Sequence, residues 1–431
     1  MLPDDGMQAV VAPNFLALSL ILALTAACGG SSVGPSNELL RAALVAFPAK
    51  SPLDREIARA QEQVRRDGSS LPALERLGTL LIAKARVTHD AGWFKLAEQT
   101  ALAMEQREPG DHSALLLRGH VLHSLHDFAA AEAIAKTLTE KRGTVHDHGL
   151  LGDVLYDVGR LPEAAASYQR MLDLKPCLQS YARAAQMRWI KGDLQGARGL
   201  LELAVGAGST RDADALAWTH SRLAAVAMQM GDFKTAENAI MIALGLQPNH
   251  AGALVTKARL ALAQGRTQVA LDSATAAVAA SSEVEPRWVL ADCLRLAGRE
   301  MEARTAEAEL EKTGAEDDPR TFALYLATRG KDLARAHSLA KKELFARHDP
   351  MTQDAVAFTA LATGDRDLAK SACEKALAAG TQDARLFVHA ALVASAAGDR
   401  ELARKHRESA LRLAATLLPS ERALVERIVA N

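Results

Sequence analysis

Aromatic residues are scarce in this chain, at 4% of 431 residues, and valine and isoleucine are scattered rather than alternating. No stretch therefore reads as a strand ladder, which argues against a β or mixed fold. Neither sign of charge is in excess, with 51 basic against 52 acidic residues. The positive surplus that would neutralise phosphates is missing, which argues against nucleic acid as a ligand. Reaction signatures are absent too. There is no zinc-protease H-E-x-x-H, no phosphate-cradling G-x-x-x-x-G-K-[ST] and no G-x-S-x-G elbow. Gly206-Ala207-Gly208 is a G-x-G with no strand before it, as expected of a turn. No segment is left over for a separate catalytic domain, so a non-enzymatic role is expected, with no cofactor.

What is abundant is alanine, the best helix former and a residue that lets helices approach closely, together with a regular beat of glycines. Gly159, Gly192, Gly231, Gly265, Gly298, Gly330, Gly364 and Gly398 follow one another at steps of 33, 39, 34, 33, 32, 34 and 34 residues. Upstream the beat falls on His126 and then Gly92. Five residues after each beat an alanine usually stands, as at Ala131, Ala164, Ala197, Ala236, Ala270, Ala303, Ala369 and Ala403. The exception is the unit at Gly330, where Arg335 takes that place. A period of this length signifies stacked supersecondary units, whose burial grows with their number, and it shifts the functional expectation from chemistry to binding.

The clearest unit, Val145 to Pro176, reads VHDHGLLGDVLYDVGRLPEAAASYQRMLDLKP. Leu151-Gly152 lies at a tight helix contact, Gly159 closes the first helix, Ala164 and Tyr168 open the second, and Pro176 ends the unit. This pattern resembles the tetratricopeptide repeat (TPR). The resemblance covers roughly Leu71 to Leu413 in about ten units. It implies an all-α, right-handed superhelical solenoid of helix-turn-helix repeats. We expect a first array over 71–310, a joint at 311–319 in EKTGAEDDPR (Glu311 to Arg320), and a second array over 320–413. GAGSTRDAD (Gly206 to Asp214) is the expected insertion behind the 39-residue step, and the first unit is several residues too long before Gly92. Polar-backed capping helices are expected at 53–70 and at 414–431, the latter with Ser420 as N-cap.

The N-terminus supplies an address. Phe15 to Leu24, FLALSLILAL, is an apolar core of secretory-signal length, too short to span a bilayer. It runs into Thr25-Ala26-Ala27-Cys28 and then Gly29-Gly30-Ser31-Ser32. This resembles a bacterial lipobox, although Thr25 stands where such boxes usually carry leucine. The resemblance implies a signal peptide over 1–27, a lipid on Cys28, a flexible tether over 28–52, and an outer-membrane lipoprotein facing the periplasm. The other cysteines, Cys177, Cys293 and Cys373, lie more than two repeats apart, too far for disulfides if units touch only their neighbours. Cys293 and Cys373 are expected in the core, and Cys177 on an exposed turn.

Two sets of side chains are candidate sites. By the resemblance, the first helix of each unit lines a concave groove. That face carries Tyr156, Gln186, Trp189, Trp218, Met228, Arg259, Trp288, Asp292 and Arg295. Three of the four tryptophans of the chain are among them, and aromatic residues and arginine are typical binding anchors. The bland alternative packs the tryptophans at helix interfaces, Trp288 first of all. The second set is a histidine cluster. His112, His120, His123 and His126 fall in one unit and His146 and His148 open the next. His120, His123, His146 and Asp153 are the candidates to converge on Zn²⁺ or Cu²⁺, against the expectation of ordinary solvated histidines and no metal. The functional expectation is a lipid-anchored scaffold or adaptor that binds a protein segment in its groove, in envelope assembly, secretion or exopolysaccharide machinery. A periplasmic metal or small-ligand binder and an accessory subunit of an enzyme complex are the alternatives.

Overall fold

The computed structural model describes residues 35–88 and 90–428; the leader and Cys28 lie outside them. Among the described residues there are helices and turns but no strand. Two helices come first, α1 (Pro35–Ala43) and α2 (Pro52–Arg66). Ten antiparallel helix pairs follow. The first five are α3 (Leu71–Thr88) with α4 (Ala91–Arg107), α5 (His112–Ser124) with α6 (Phe128–Lys141), α7 (Val145–Asp157) with α8 (Leu161–Leu174), α9 (Leu178–Ile190) with α10 (Leu194–Gly206), and α11 (Ala213–Gln229) with α12 (Phe233–Leu246). The second five are α13 (Ala251–Ala263) with α14 (Thr267–Ala280), α15 (Val284–Leu296) with α16 (Glu300–Asp317), α17 (Pro319–Arg329) with α18 (Leu333–Ala346), α19 (Pro350–Thr363) with α20 (Arg366–Leu377), and α21 (Ala384–Ala396) with α22 (Arg400–Arg412). A last helix, α23, spans Pro419–Arg427. The chain is an all-α repeat solenoid.

The beat marks the turn inside each pair. All eight glycines from Gly159 to Gly398 have φ between 66° and 88°, the left-handed region where a Cβ is costly. His126 holds the same conformation at φ 63°, in the place of a glycine. Gly92 does not belong to the beat, because α3 is prolonged to Thr88 and Gly92 falls inside α4. The exception at Gly330 has a local cause. Asp332 adds a second left-handed residue, at φ 34°, so α18 starts one residue late and the fully buried Ala336 takes the place of the missing alanine. Between helices of a pair, small residues permit contact. A Cβ on Gly152 would sit 2.3 Å from the Tyr168 ring, and, between neighbouring pairs, one on Gly78 would lie the same distance from Leu117.

Three expected boundaries move. α1 lies within the stretch expected to be a tether. It packs on α4 with Leu40 and Ala43 buried, and Gln61 Nε2 donates to the carbonyls of Ala43 and Val45 at 2.8 and 3.0 Å. The expected joint at 311–319 is mostly helix, since α16 continues unbroken to Asp317. Gly314, within this stretch, is small because Phe322 lies on it, 2.7 Å from where a Cβ would be. One apolar cluster runs past it from Leu254 to Val425. The C-terminal helix, expected over 414–431, starts at Pro419 with Leu418 N donating to Glu421 at 2.8 Å, so Ser420 is not its cap.

The superhelix also closes on itself, so the expectation that units touch only neighbours fails. The loop between α18 and α19 reaches the end of α7, where His348 N donates to Asp157 O at 3.0 Å and Arg347 pairs with the Asp157 carboxylate at 2.6 Å. The loop between α20 and α21 reaches the ends of α9 and α11. There Thr381 Oγ1 donates to Ile190 O at 2.6 Å and Gln229 Nε2 to Gln382 O at 2.5 Å. Gly192 sits in this seam, and a Cβ on it would lie 2.3 Å from the carbonyl oxygen of Gly380. Cys293 and Cys373 are free and buried, their thiols pushed up to about 12 by burial, whereas Cys177 is half-buried.

Gly265 shares the left-handed turn at φ 70° but has open space around it. Gly265→Ala should therefore cost about 1 kcal/mol and Gly192→Ala about 3 kcal/mol in urea unfolding monitored by circular dichroism. Equal costs would mean that the seam adds nothing to stability.

Candidate binding site on the inner face

The first helices of the pairs line the inside of the superhelix, and their side chains join across successive units. Gln186 Nε2 donates to the Tyr156 hydroxyl at 2.9 Å, and Arg222 donates to Gln186 Oε1 at 3.0 Å. Trp189 Nε1 donates to Gln229 Oε1 at 2.8 Å, while the Arg222 guanidinium lies 5.9 Å from the centre of the Trp189 ring. Each bond spans a step of one inner helix, so the wall is held by the register of the repeats. Facing this wall is a chamber of about 590 Å³, bordered by Trp189, Trp218, Arg222, Arg259, Glu285 and Arg385. Trp218 is 46% exposed, an unusual state for the largest apolar side chain.

The charges around the chamber are not equivalent. Arg259 pairs with Glu285 at 2.7 Å, and Arg385 with Glu421 at 2.5 Å. Arg222 is held by an amide oxygen and a ring face, and no ion pair among the described residues engages it. Burial disfavours its charge and pulls its pKa down. An anionic group entering the chamber would relieve that cost.

The structure divides the expected groove residues. Tyr156 and Gln186 belong to the polar wall, and Trp189, Trp218, Met228 and Arg259 border the chamber. Trp288, Asp292 and Arg295 do not present a free groove surface. Trp288 is fully buried, edge-on to Tyr325 at 5.8 Å, and donates to Ser420 Oγ at 3.2 Å. Asp292 is 2% exposed, paired with Arg329 and accepting from Ser420 N at 3.0 Å and its hydroxyl at 2.6 Å. Arg295 turns to Glu307 on α16, at 2.5 and 2.9 Å. The register of the repeat places all three on the inner side, but the packing of α16, α17 and α23 covers them. Arg222, Glu285, Arg385 and Glu421 were missed. Arg222 stands one turn after Trp218 on the same helix, which is a signal that spacing contains; the nearness of Arg385 and Glu421 has no local signature.

The histidine candidates do not converge. His123 Nε2 lies 2.9 Å from Asp157 Oδ2, His146 is exposed, and Asp153 is taken by the Arg183 guanidinium at 2.8 and 2.6 Å and by the Tyr168 hydroxyl at 2.8 Å. His120 is desolvated, which brings its pKa down to about 3 and leaves it neutral. No group of three or more potential ligands suited to a metal occurs among the described residues. The inner residues here are consumed by contacts between adjacent units.

The Asp153 contacts have a pH signature. Burial opposes its ionisation, but Arg183 outweighs burial and brings the carboxyl from 3.8 down to about 2. Because the folded value is the lower one, the stabilisation is complete above pH 3.8 and fades as pH falls towards 2. Asp153→Asn should lose about 2 kcal/mol near neutrality, and the difference from the native chain should shrink across that window. A difference independent of pH would exclude this source of stability.

Comparison with known proteins places the architecture. A family model described as tetratricopeptide repeat matches residues 150–212, 222–286 and 255–319. No curated protein matches the chain. Solved structures that resemble it include a thermophilic TPR protein of Thermus thermophilus, 19% identical, covering 43% of this chain and 95% of that one at a TM-score of 0.37. A tetratricopeptide repeat protein of Parabacteroides merdae is 13% identical, covering 65% and 98% at 0.38. Yeast Tom70 is 12% identical, covering 91% and 73% at 0.38.

Proposed function

Since the chain belongs to the tetratricopeptide-repeat family, we propose that it is a non-enzymatic adaptor whose inner chamber binds a protein segment. The observation that carries this reading is the wall of Trp189, Trp218 and Arg222 around about 590 Å³ of space. The indoles offer large, stiff apolar area, and no ion pair among the described residues engages the guanidinium, so the segment that fits is one with an apolar residue beside a carboxylate. A chamber of this size takes a few side chains rather than a folded surface.

The address is part of the same proposal. The apolar core Phe15 to Leu24 and the Thr25-Ala26-Ala27-Cys28 box support a signal peptide and a lipid on Cys28. The repeats would then be held at the outer membrane, facing the periplasm, as a scaffold in envelope assembly, secretion or exopolysaccharide machinery, or as an accessory subunit there. No helix among the described residues is long and apolar enough to cross a membrane; in this reading the lipid on Cys28 is the attachment.

Cross-linking in cells, followed by identification of the captured envelope protein, tests the first part. The combined Trp189→Ala, Trp218→Ala and Arg222→Ala chain should lose at least tenfold in capture, about 1.4 kcal/mol or more, with helical content unchanged. Undiminished capture by a folded variant would refute the chamber as the binding site. For the second part, Cys28→Ser should move the protein from the membrane fraction to the soluble one, and a variant that stays with the membrane would refute lipid anchoring.

A further inference from the structure

The repeat pattern expects a terminal helix to continue the stack, covering the last pair. Here the chain does something else after α22. A short 3₁₀ turn at Ala414–Thr416 lies against α11 and α13, and α23 lies against α15, α17 and α21. All of these are inner helices, so the C-terminal segment runs along the inside of the superhelix. It borders the chamber with Thr416, Leu417 and Glu421.

Its contacts have the form of ligand recognition. Leu417 and Leu418 are buried side by side, at 3% and 0% exposure. The Thr416 carbonyl accepts from Arg259 at 2.7 Å. The Ser420 hydroxyl donates to Asp292 at 2.6 Å, and the Glu421 carboxylate accepts from Arg385 at 2.5 Å. A main-chain acceptor, a hydroxyl and a carboxylate are thus each met by a separate inner-face group, and the two leucines join the apolar core. The polar groups on the groove side are paired on their own account, Arg259 with Glu285 and Asp292 with Arg329, beside an apolar contact in which Leu417, Leu418, Leu424 and Val425 join the cluster of Trp288 and Tyr325. The polar groups keep these partners when the segment leaves, so its release strands no buried charge. The nine residues of α23 are also too few to hold a helix in isolation, so its order derives from the groove.

We propose that residues 413–428 are a built-in, releasable ligand of the inner groove, and that the partner segment displaces them by presenting the same chemistry, two adjacent leucines followed by a hydroxyl and a carboxylate. This rests on the adaptor reading for the identity of the competitor, but release of the segment does not. Occupied, the groove leaves the chamber open; released, it extends the binding surface along α13, α15, α17 and α21. An intramolecular ligand holds its site at high effective concentration, so only a matching segment displaces it.

The test uses the full chain and a fluorescein-labelled peptide of residues 416–428, followed by anisotropy. The native chain should bind it weakly, because its own segment competes. A Ser420→Ala, Glu421→Gln chain, with its own segment loosened, should bind the peptide at least tenfold more tightly. Adding Arg385→Ala to that chain should reverse the gain. In parallel, the amides of 419–427 in the native chain should exchange with deuterium at least tenfold faster than those of α21. Unchanged peptide affinity in a double variant with native circular dichroism would overturn the proposal. So would exchange of 419–427 only together with α21 and α22, a result that decides even if the variant fails to fold. Neither readout involves Trp189, Trp218 or Arg222, so failure here leaves capture at the chamber standing, and failed capture leaves this result standing.

Discussion

Close approach of helices through small side chains is the constraint on which the molecule depends. Alanines such as Ala164, Ala197, Ala236 and Ala270 are fully buried at successive crossings, and Gly152 lies directly under Tyr168. Small contacts bury little area each, so no pair could stand alone, and stability has to come from summation along the stack. That dependence favours one turn geometry, repeated in the pairs from α5–α6 to α21–α22. The left-handed residue supplies it, including His126, where the cost of a side chain is accepted.

Repetition with a fixed small rotation produces curvature, and here curvature brings distant units together. Asp157 meets Arg347 and His348, and Ile190 meets Thr381. The stack is thereby closed rather than open, and the inner face becomes an enclosed space instead of a trough. Polar and apolar side chains share that space, Arg222, Arg259 and Arg385 beside Trp189, Trp218 and Met228. The chain of hydrogen bonds from Tyr156 through Gln186 to Arg222, with the bond from Trp189 to Gln229, then fixes the Trp189 indole. Preorganisation of this kind lowers the ordering cost of binding.

Enclosure also explains why the C-terminal segment goes inward. Past α22 the chain carries Leu417, Leu418, Leu424 and Val425, four apolar residues that need cover. The inner face offers it together with Arg385 and Asp292 as polar partners. The same feature that would have ended the stack thus determines how much of the groove is open.

The period, the turns, the small residues at crossings and the number of units were legible in the sequence, because each is set by interactions within about 34 residues. Trp189, Trp218 and Arg259 could be placed by helical spacing from the repeat. Trp288 and Asp292 shared that spacing and were placed wrongly as free surface, since what covers them lies some 130 residues away in the chain, at Ser420. The histidines fell together in sequence but were separated by Asp157 and Arg183, which claim the neighbouring groups. By itself, then, the sequence determined the repeating unit, for which local sterics suffice. Only the tertiary structure decided the closure, the chamber and the occupied groove, because these arise from summed rotations and from pairs of residues too distant to leave a mark on local pattern.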